Sequence, residues 1–509
     1  MLNSTNISKI EEIRTIFNNQ KRTVNDALLS LFKLFKLNAL CSKAGIEKQE
    51  GYSASEILKV LLLFPFMSLC SVRSLYLSRF QHLIEAKKDT IFRLKNNEHY
   101  NWRKLLYQFC KRFKTVTQPS PQHKDEQSSA TPTCFILDDS TLAKAGMKIE
   151  FIGKVFDHVI RKSILGFKLL LLGFWDGTNL LPLDFSLHNE KGKNKKYPFG
   201  LKVKQLKKRF SKQRDKNSNG YKRAKELGID KINNGLAMLK RAVKNGFIAD
   251  YFLTDSWFSS ADVIKTVRQI KNGIIHFLGM VRMDKRCYEY QGQKFNAKEL
   301  KKKLSQHMKR AKKLNIYYIE VMVHYDDIGN VKLFFTRLSK RSKWRLLLTT
   351  NLQLSFHQAI KIYNTRWSIE VLFKECKQLL NLGKCQSTDF DAQIADTTIS
   401  MILYTILSLH KRIHCYSSLG ELFAKYQDQF IESTIVEKLW HLFLTIQFTI
   451  AEILEFDFIK LMRTVMQVPT VKNISKSLLK IFVEDDFENE KEKGLKIEPF
   501  GILKLSHII

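Results

Sequence analysis

An α/β core with an inserted β-rich subdomain, set between helical N- and C-terminal regions, is the fold class that three observations predict. Between residues 134 and 281, short apolar runs of strand length alternate with helical patterns. Residues 1–115 and 386–480 instead carry the longer period of amphipathic and buried helices. From about 282 to 350 the alternation gives way to strand patterns joined by polar turns.

Composition narrows the partners. A chain of 509 residues with 44% hydrophobic residues can bury real cores. Lys and Arg outnumber Asp and Glu by 85 to 49, a net charge of +36 that repels itself unless a polyanion binds. Nucleic acid is the first candidate and an anionic membrane the second. The strongest apolar windows, 60–72, 397–409 and 439–451, are shorter than the roughly 18 to 20 residues a span requires, and read as buried helices. The N-terminus has early acids and no basic region leading into an apolar stretch, so no secretory signal is expected. The eight cysteines show no CxxC pair and no metal-ligand spacing, which fits a reducing, cytoplasmic setting.

In chain order, residues 1–115 form the first unit. Ser53 followed by Glu56 is a capping signal ahead of an apolar helix, and basic helical segments around Arg93 to Arg112 suit a DNA-binding unit. Residues 116–133 hold three of the eight prolines and read as a linker. Cys134 to Leu137 is a buried strand running into Asp138-Asp139-Ser140. Adjacent strand residues point to opposite faces, so at most one of the two aspartates shares a site with a distant partner. Asp139 is preferred, because it sits at the strand end where access begins. Gly166 to Trp175 and Leu180 to Leu187 flank Asp176-Gly177, a hairpin signal.

Residues 191–225 hold 15 Lys or Arg and one acid, Asp215, with aromatic residues interleaved, a composition suited to a phosphate-contacting strip. A helix near 230–244 ends at Asn245-Gly246, and Phe247 to Leu253 is a strand ending at Thr254-Asp255. This repeats the design at Cys134, and makes Asp255 the natural partner of Asp139, with Asp250 the weaker candidate. A helix around Ala261 to Lys271 and a strand from Ile274 to Val281 follow. The insertion, about 282–350, is read as a basic helix, Ala297 to Leu314, and three strands, Tyr317 to Tyr325, Val331 to Leu338 and Trp344 to Thr350.

Ser355 with Gln358, and Gly383 at the far end, predict one helix near 356–382. At 100° per residue, Tyr363, Arg366, Glu370, Lys374 and Lys377 fall within an arc of roughly 80°. One carboxylate stands among cations and a phenol, while Ile369, Leu372, Phe373 and Cys376 face a core. Residues 386–480 read as an apolar-rich helical region suited to dimerisation, and 481–509 as a charged tail.

Asp139, Asp255 and Glu370 are far apart in sequence and suited to a pair of hard divalent cations, the apparatus of phosphoryl transfer. Tyr363-x2-Arg366-x3-Glu370-x6-Lys377, with Trp367, Ile369 and Lys374, resembles the YREK signature of DDE transposases of the insertion-sequence-four family. The motif resemblance covers roughly 130–385. It implies an RNase H-like catalytic domain over 134–385 and Mg2+, replaceable by Mn2+, as two ions on Asp139, Asp255 and Glu370. It also implies double-stranded DNA as substrate, cut at terminal inverted repeats and joined to target DNA, and a homodimer bridging two ends. Tyr363, Arg366, Lys374 and Lys377 would contact the DNA, with Trp257 and Trp344 as candidates for stacking on a flipped base. A transposase-derived binding protein that no longer cuts, and a nuclease that does not rejoin, are the alternatives.

Overall fold

The computed structural model describes residues 32–428 apart from 49, 79, 82–85, 118–130, 327 and 415, together with positions 450, 468 and 469. Most of the expected linker, the apolar window 439–451 apart from Ile450, and the tail 481–509 lie outside the described residues. The chain forms two compact units, one of 1–38, 47–91 and 410–509, the other of 39–46 and 92–409.

In the first unit, helix α1 (Ala54–Leu63) opens on the capping box expected at Ser53 and Glu56. The Ser53 hydroxyl accepts the Glu56 N–H at 3.2 Å, and the Glu56 carboxylate accepts the Ser53 N–H at 2.8 Å. These bonds satisfy donors that a helix start leaves orphaned, and set α1 to bury Ile57, Leu58, Leu61 and Leu62. Phe66 stacks on Phe423 at 4.9 Å between ring centroids and meets Tyr426 edge-on at 5.9 Å, so late residues complete an early core.

The second unit is built on one sheet of twelve strands among the described residues. They are β1 (Cys134–Ala143), β2 (Gly153–Asp157), β3 (Lys162–Trp175), β4 (Leu180–His188), β5 (Tyr251–Thr254), β6 (His276–Val281), β7 (Cys287–Tyr290), β8 (Gln293–Asn296), β9 (Lys309–Ala311), β10 (Ile316–Tyr325), β11 (Gly329–Arg337) and β12 (Arg345–Thr349). The order is β2-β3-β1-β5-β6-β12-β11-β10-β7-β8, with β4 also on β3 and β9 on β10. Only the β1–β5 and β5–β6 pairings are parallel. The β3–β4 hairpin turns where Asp176-Gly177 predicts. The Asp176 carboxylate accepts the Thr178 and Asn179 N–H groups, and Gly177 takes a φ of 102° that a side chain would strain.

Helices cover the sheet: α2 (Trp102–Thr117), α3 (Asn219–Lys225), α4 (Lys231–Lys244), α5 (Ala261–Gln269), α6 (Ala297–Lys303), α7 (Phe356–Asn364), α8 (Trp367–Gln378) and α9 (Phe390–His414). The sequence groups Trp102–Thr117 with the N-terminal helices, yet α2 packs on β4, where the Cys110 thiol donates to the Pro182 carbonyl. Gly235 lets α4 press onto β1, since a Cβ there would stand 2.6 Å from Leu137 Cδ2. The segment Phe390–Ile413 is long and apolar enough to cross a membrane, but 94% of its apolar window is buried inside the protein, as expected for 397–409.

Two expectations for the insertion change. Its three expected strands lie where predicted as β10, β11 and β12, but β7, β8 and β9 join them, and Leu346, Leu347 and Leu348 of β12 pair with Val281, Met280 and Gly279 of β6, so the insertion extends the central sheet. The basic helix ends at Lys303, because Lys309–Ala311 leaves helical geometry to pair with β10.

The basic run 191–225 is likewise divided. Lys191, Lys195, Lys204 and Lys208 stay exposed. Arg214 turns inward, with its fork on both Glu150 oxygens at 2.8 and 2.6 Å and its Nε on Asp391 at 3.1 Å. Lys212 joins the same cluster at Asp391, 2.8 Å away. Both Arg214 and Glu150 side chains are 3% exposed. Glu150→Ala leaves Arg214 its Asp391 partner but empties its fork, so it is expected to lose about 1–3 kcal/mol of stability, read from the denaturant midpoint at unchanged slope.

Candidate active site

Strand pairing assembles the first half of the site. Cys134, Phe135, Ile136 and Leu137 pair in parallel with Tyr251, Phe252, Leu253 and Thr254. Asp138 on β1 and Asp255 just past the end of β5 come next, and their carboxylates are close enough for the charge on Asp255 to raise the pKa of Asp138. Asp255 is fixed by a turn, its Oδ1 accepting the Trp257 N–H at 2.9 Å and the Phe258 N–H at 3.4 Å.

The second half comes from α7 and α8. The capping box at Ser355 and Gln358 starts α7 as predicted. The expected single helix is instead two, meeting at Thr365 and Arg366. There the N–H groups of Arg366, Ser368 and Ile369 bond three residues back, and the Thr365 hydroxyl donates to the Ile362 carbonyl at 2.7 Å. Both residues keep right-handed helical geometry, so the polar face continues across the junction while Ile369, Leu372, Phe373 and Cys376 are buried.

That face meets β1. Arg366 donates through Nη1 to Asp138 Oδ2 at 2.9 Å and through Nη2 to Glu370 Oε1 at 2.6 Å. Lys377 Nζ donates to Ser140 Oγ at 2.7 Å. Asp138 and Ser140, two apart on the strand, therefore share the face turned toward α8.

Asp139 belongs to the other face. Its Oδ2 pairs with Lys231 at 2.9 Å and stands 3.9 Å from Lys168, which also donates to Thr141. Near this cluster lies His188, its pKa pulled down to about 4 by burial and by Lys231. Asp138, rather than the expected Asp139, thus shares a face with Arg366 and Glu370, since access at a strand end does not decide which face a residue takes. Asp250 is also elsewhere, its carboxylate accepting from the Thr133 N–H and hydroxyl.

Burial sets the electrostatics. It pushes the Asp138 carboxyl up to about 7, with Arg366 opposing the rise and Asp255 adding to it. Burial also raises the Tyr363 phenol to about 12 and lowers the Lys377 ammonium. Tyr363 lies 5.8 Å from the Arg366 guanidinium, and Lys374 is exposed. Trp257 is 53% exposed beside Asp255, with Arg282 at 5.2 Å and Lys231 at 5.9 Å from its ring. Trp344 is half-buried under Arg337 at 4.5 Å, with Lys301 at 5.8 Å. Trp367, at the start of α8, is 60% exposed, a position sequence reasoning did not single out as DNA-facing.

Asp138, Asp255 and Glu370 offer only hard carboxylate oxygens, the donors that Mg2+ and Mn2+ prefer. Among the described residues no three His, Cys, Asp or Glu side chains are drawn together tightly enough to hold an ion. Between Asp138 and Glu370 stands a guanidinium, a cation in the place of a cation, and in that sense the donor set fits a metal.

Residues 231–406 match the family model of the transposase DDE domain. The DDE segment carries Asp255, Tyr363, Arg366, Glu370, Lys374 and Lys377, while β1 with Asp138 lies before it. It supports an enzyme of nuclease or transposase kind, a class that acts on DNA and generally depends on divalent metal. No curated protein matches the chain.

The raised Asp138 carboxyl has a consequence for stability. Its native pKa exceeds the unfolded value, so the native state holds a proton that the unfolded chain has released. This group's contribution is intact below about pH 4 and is lost as pH rises through about 7. In metal-free protein, Asp138→Asn should therefore gain in Tm relative to wild type between those values and level off above. A difference independent of pH would contradict the assignment.

Proposed function

We propose that the chain is a transposase that cuts DNA at the terminal inverted repeats of its own element and joins the freed 3′ ends to target DNA. The observation that carries this reading is the bridge by which Arg366 ties Asp138 on β1 to Glu370 on α8, beside the strand that leads into Asp255. Asp138 and Asp255 each follow one of the two runs paired in parallel, and Glu370 reaches Asp138 through one guanidinium. The DDE match over two of the three supports it. A mixed sheet in which β1 lies between antiparallel β3 and parallel β5, with helices packed against it, supports an RNase H-like core.

Asp138, Asp255 and Glu370 would hold the divalent ions, Mg2+ or Mn2+, which supply activation of the attacking oxygen and neutralisation of the leaving one. Lys377, seated on Ser140, presents a fixed positive charge to a phosphate beside the reacting bond. Arg366 offers a fork that matches phosphate oxygens, and exposed Lys374 extends the same strip outward. Trp257 presents an open ring next to Asp255, suited to stacking on an unpaired base. Trp344 is already covered by Arg337 and would have to shed it to do the same. Residues 1–115 are the proposed DNA-end-binding region, and a homodimer would hold two ends together.

Incubation of the full chain with a labelled end of its own element and Mg2+ tests this. Nicked and then joined products are expected. Asp138→Asn, Asp255→Asn and Glu370→Gln should each lower both steps by more than about a hundredfold, since even outer partners of metal ligands are worth ten- to a hundredfold. Asp139→Asn should retain most of the activity. Nicking without joining would indicate a nuclease, binding without cutting a derived DNA-binding protein, and an Asp139→Asn loss equal to that of Asp138→Asn would contradict the choice between them.

A further inference from the structure

Arg366 occupies two roles that exclude each other. Its Nη1 and Nη2 groups, the pair that would fork onto a phosphate, are spent on Asp138 and Glu370. Among the described residues, these two carboxylates form ion pairs with no other cation. The same carboxylate charge that would hold a divalent ion is thus neutralised by the side chain that would hold the DNA.

The bridge lies near the protein surface. Arg366 sits at the junction of α7 and α8, and its own side chain is only 16% exposed. The Glu370 side chain is 35% exposed, however, and Trp367 and Lys374 beside it are open to solvent. A long, flexible side chain anchored at that edge can swing toward water by rotating about its own bonds. Left alone, Asp138 and Glu370 would be two like charges held near each other, so something positive must remain when Arg366 leaves.

We propose that Arg366 exchanges between two partners, holding Asp138 and Glu370 in the free protein and passing to a DNA phosphate when divalent cations take its place. The proposal rests on the reading of Asp138 and Glu370 as metal ligands in a DNA-cutting enzyme. It makes metal and DNA binding cooperative. Metal releases the fork that DNA needs, and DNA removes the competitor that metal must displace. By linkage, each ligand strengthens the other by the same factor.

The test is Mn2+ binding to the full-length protein, followed by the electron paramagnetic resonance signal of free Mn2+, with and without a short DNA duplex. The wild type should bind Mn2+ about 5- to 30-fold more tightly with duplex present, within the usual range of coupling between sites. Arg366→Ala should bind Mn2+ several-fold more tightly than wild type without DNA, and the duplex should then add little. Arg366→Gln, which keeps the length without the charge, should behave alike and serves if Ala unfolds the helix junction. Lys231→Ala removes the cation paired with Asp139 on the other face of β1 without freeing Asp138 or Glu370, and should leave Mn2+ affinity and coupling near wild type. The exchange is overturned if Arg366→Ala and Arg366→Gln bind Mn2+ no more tightly than wild type, or if Lys231→Ala tightens it equally. The underlying site reading fails separately, if Asp138→Asn and Glu370→Gln leave Mn2+ binding unchanged.

Discussion

Four residues of β1 lie in parallel register with four of β5, and the acid that follows each run emerges beside the other. Parallel pairing of this kind requires a long crossover, here the stretch from β2 through α4. The crossover takes its own place in the core. β3 pairs along the other edge of β1, and Gly235 brings α4 within contact of Leu137. The strand that carries Asp138 is thereby held on both edges and one face. Strands buried this fully have little freedom to slip, and a slip of one residue would exchange Asp138 for Asp139.

That alternation separates two polar clusters that are adjacent in sequence. On one face Asp138 and Ser140 meet Arg366 and Lys377, and on the other Asp139 and Thr141 meet Lys231 and Lys168. The chemistry of the two differs. Asp138 is mostly buried, feels the charge of Asp255, and is tied to Glu370 through Arg366 alone. Asp139 already has two lysines and ties the start of α4 to the strand. Arg366 sits at a tightened junction between two helices, and from there it reaches both a strand residue and its own helix.

Much of this was legible in the residues. The apolar runs, the Asp176-Gly177 turn and the capping boxes at Ser53 and Ser355 are local signals, and local hydrogen bonding decides them. The polar face of Arg366, Glu370 and Lys377 follows from helical spacing, because its opposite side is committed to the core. Other features depend on pairing between distant segments. The joining of β12 to β6 and the inward turn of Arg214 toward Glu150 rest on partners that no window of sequence contains. Asp138 stands between these cases. Phe135-Ile136-Leu137-Asp138 and Phe252-Leu253-Thr254-Asp255 are the same pattern, three apolar or small residues and then an acid, and their alignment would have favoured Asp138.

Cleavage of the polypeptide by bound Fe2+ with ascorbate and peroxide examines the assembled site directly, since radicals generated at a metal cut only the backbone around it. Cuts should cluster near Asp138, Asp255 and Glu370 in the wild-type chain, suppressed by excess Mg2+ and by Asp138→Asn but retained in Asp139→Asn. Cuts confined to other segments, or a pattern lost with Asp139→Asn and unaffected by Asp138→Asn, would contradict it.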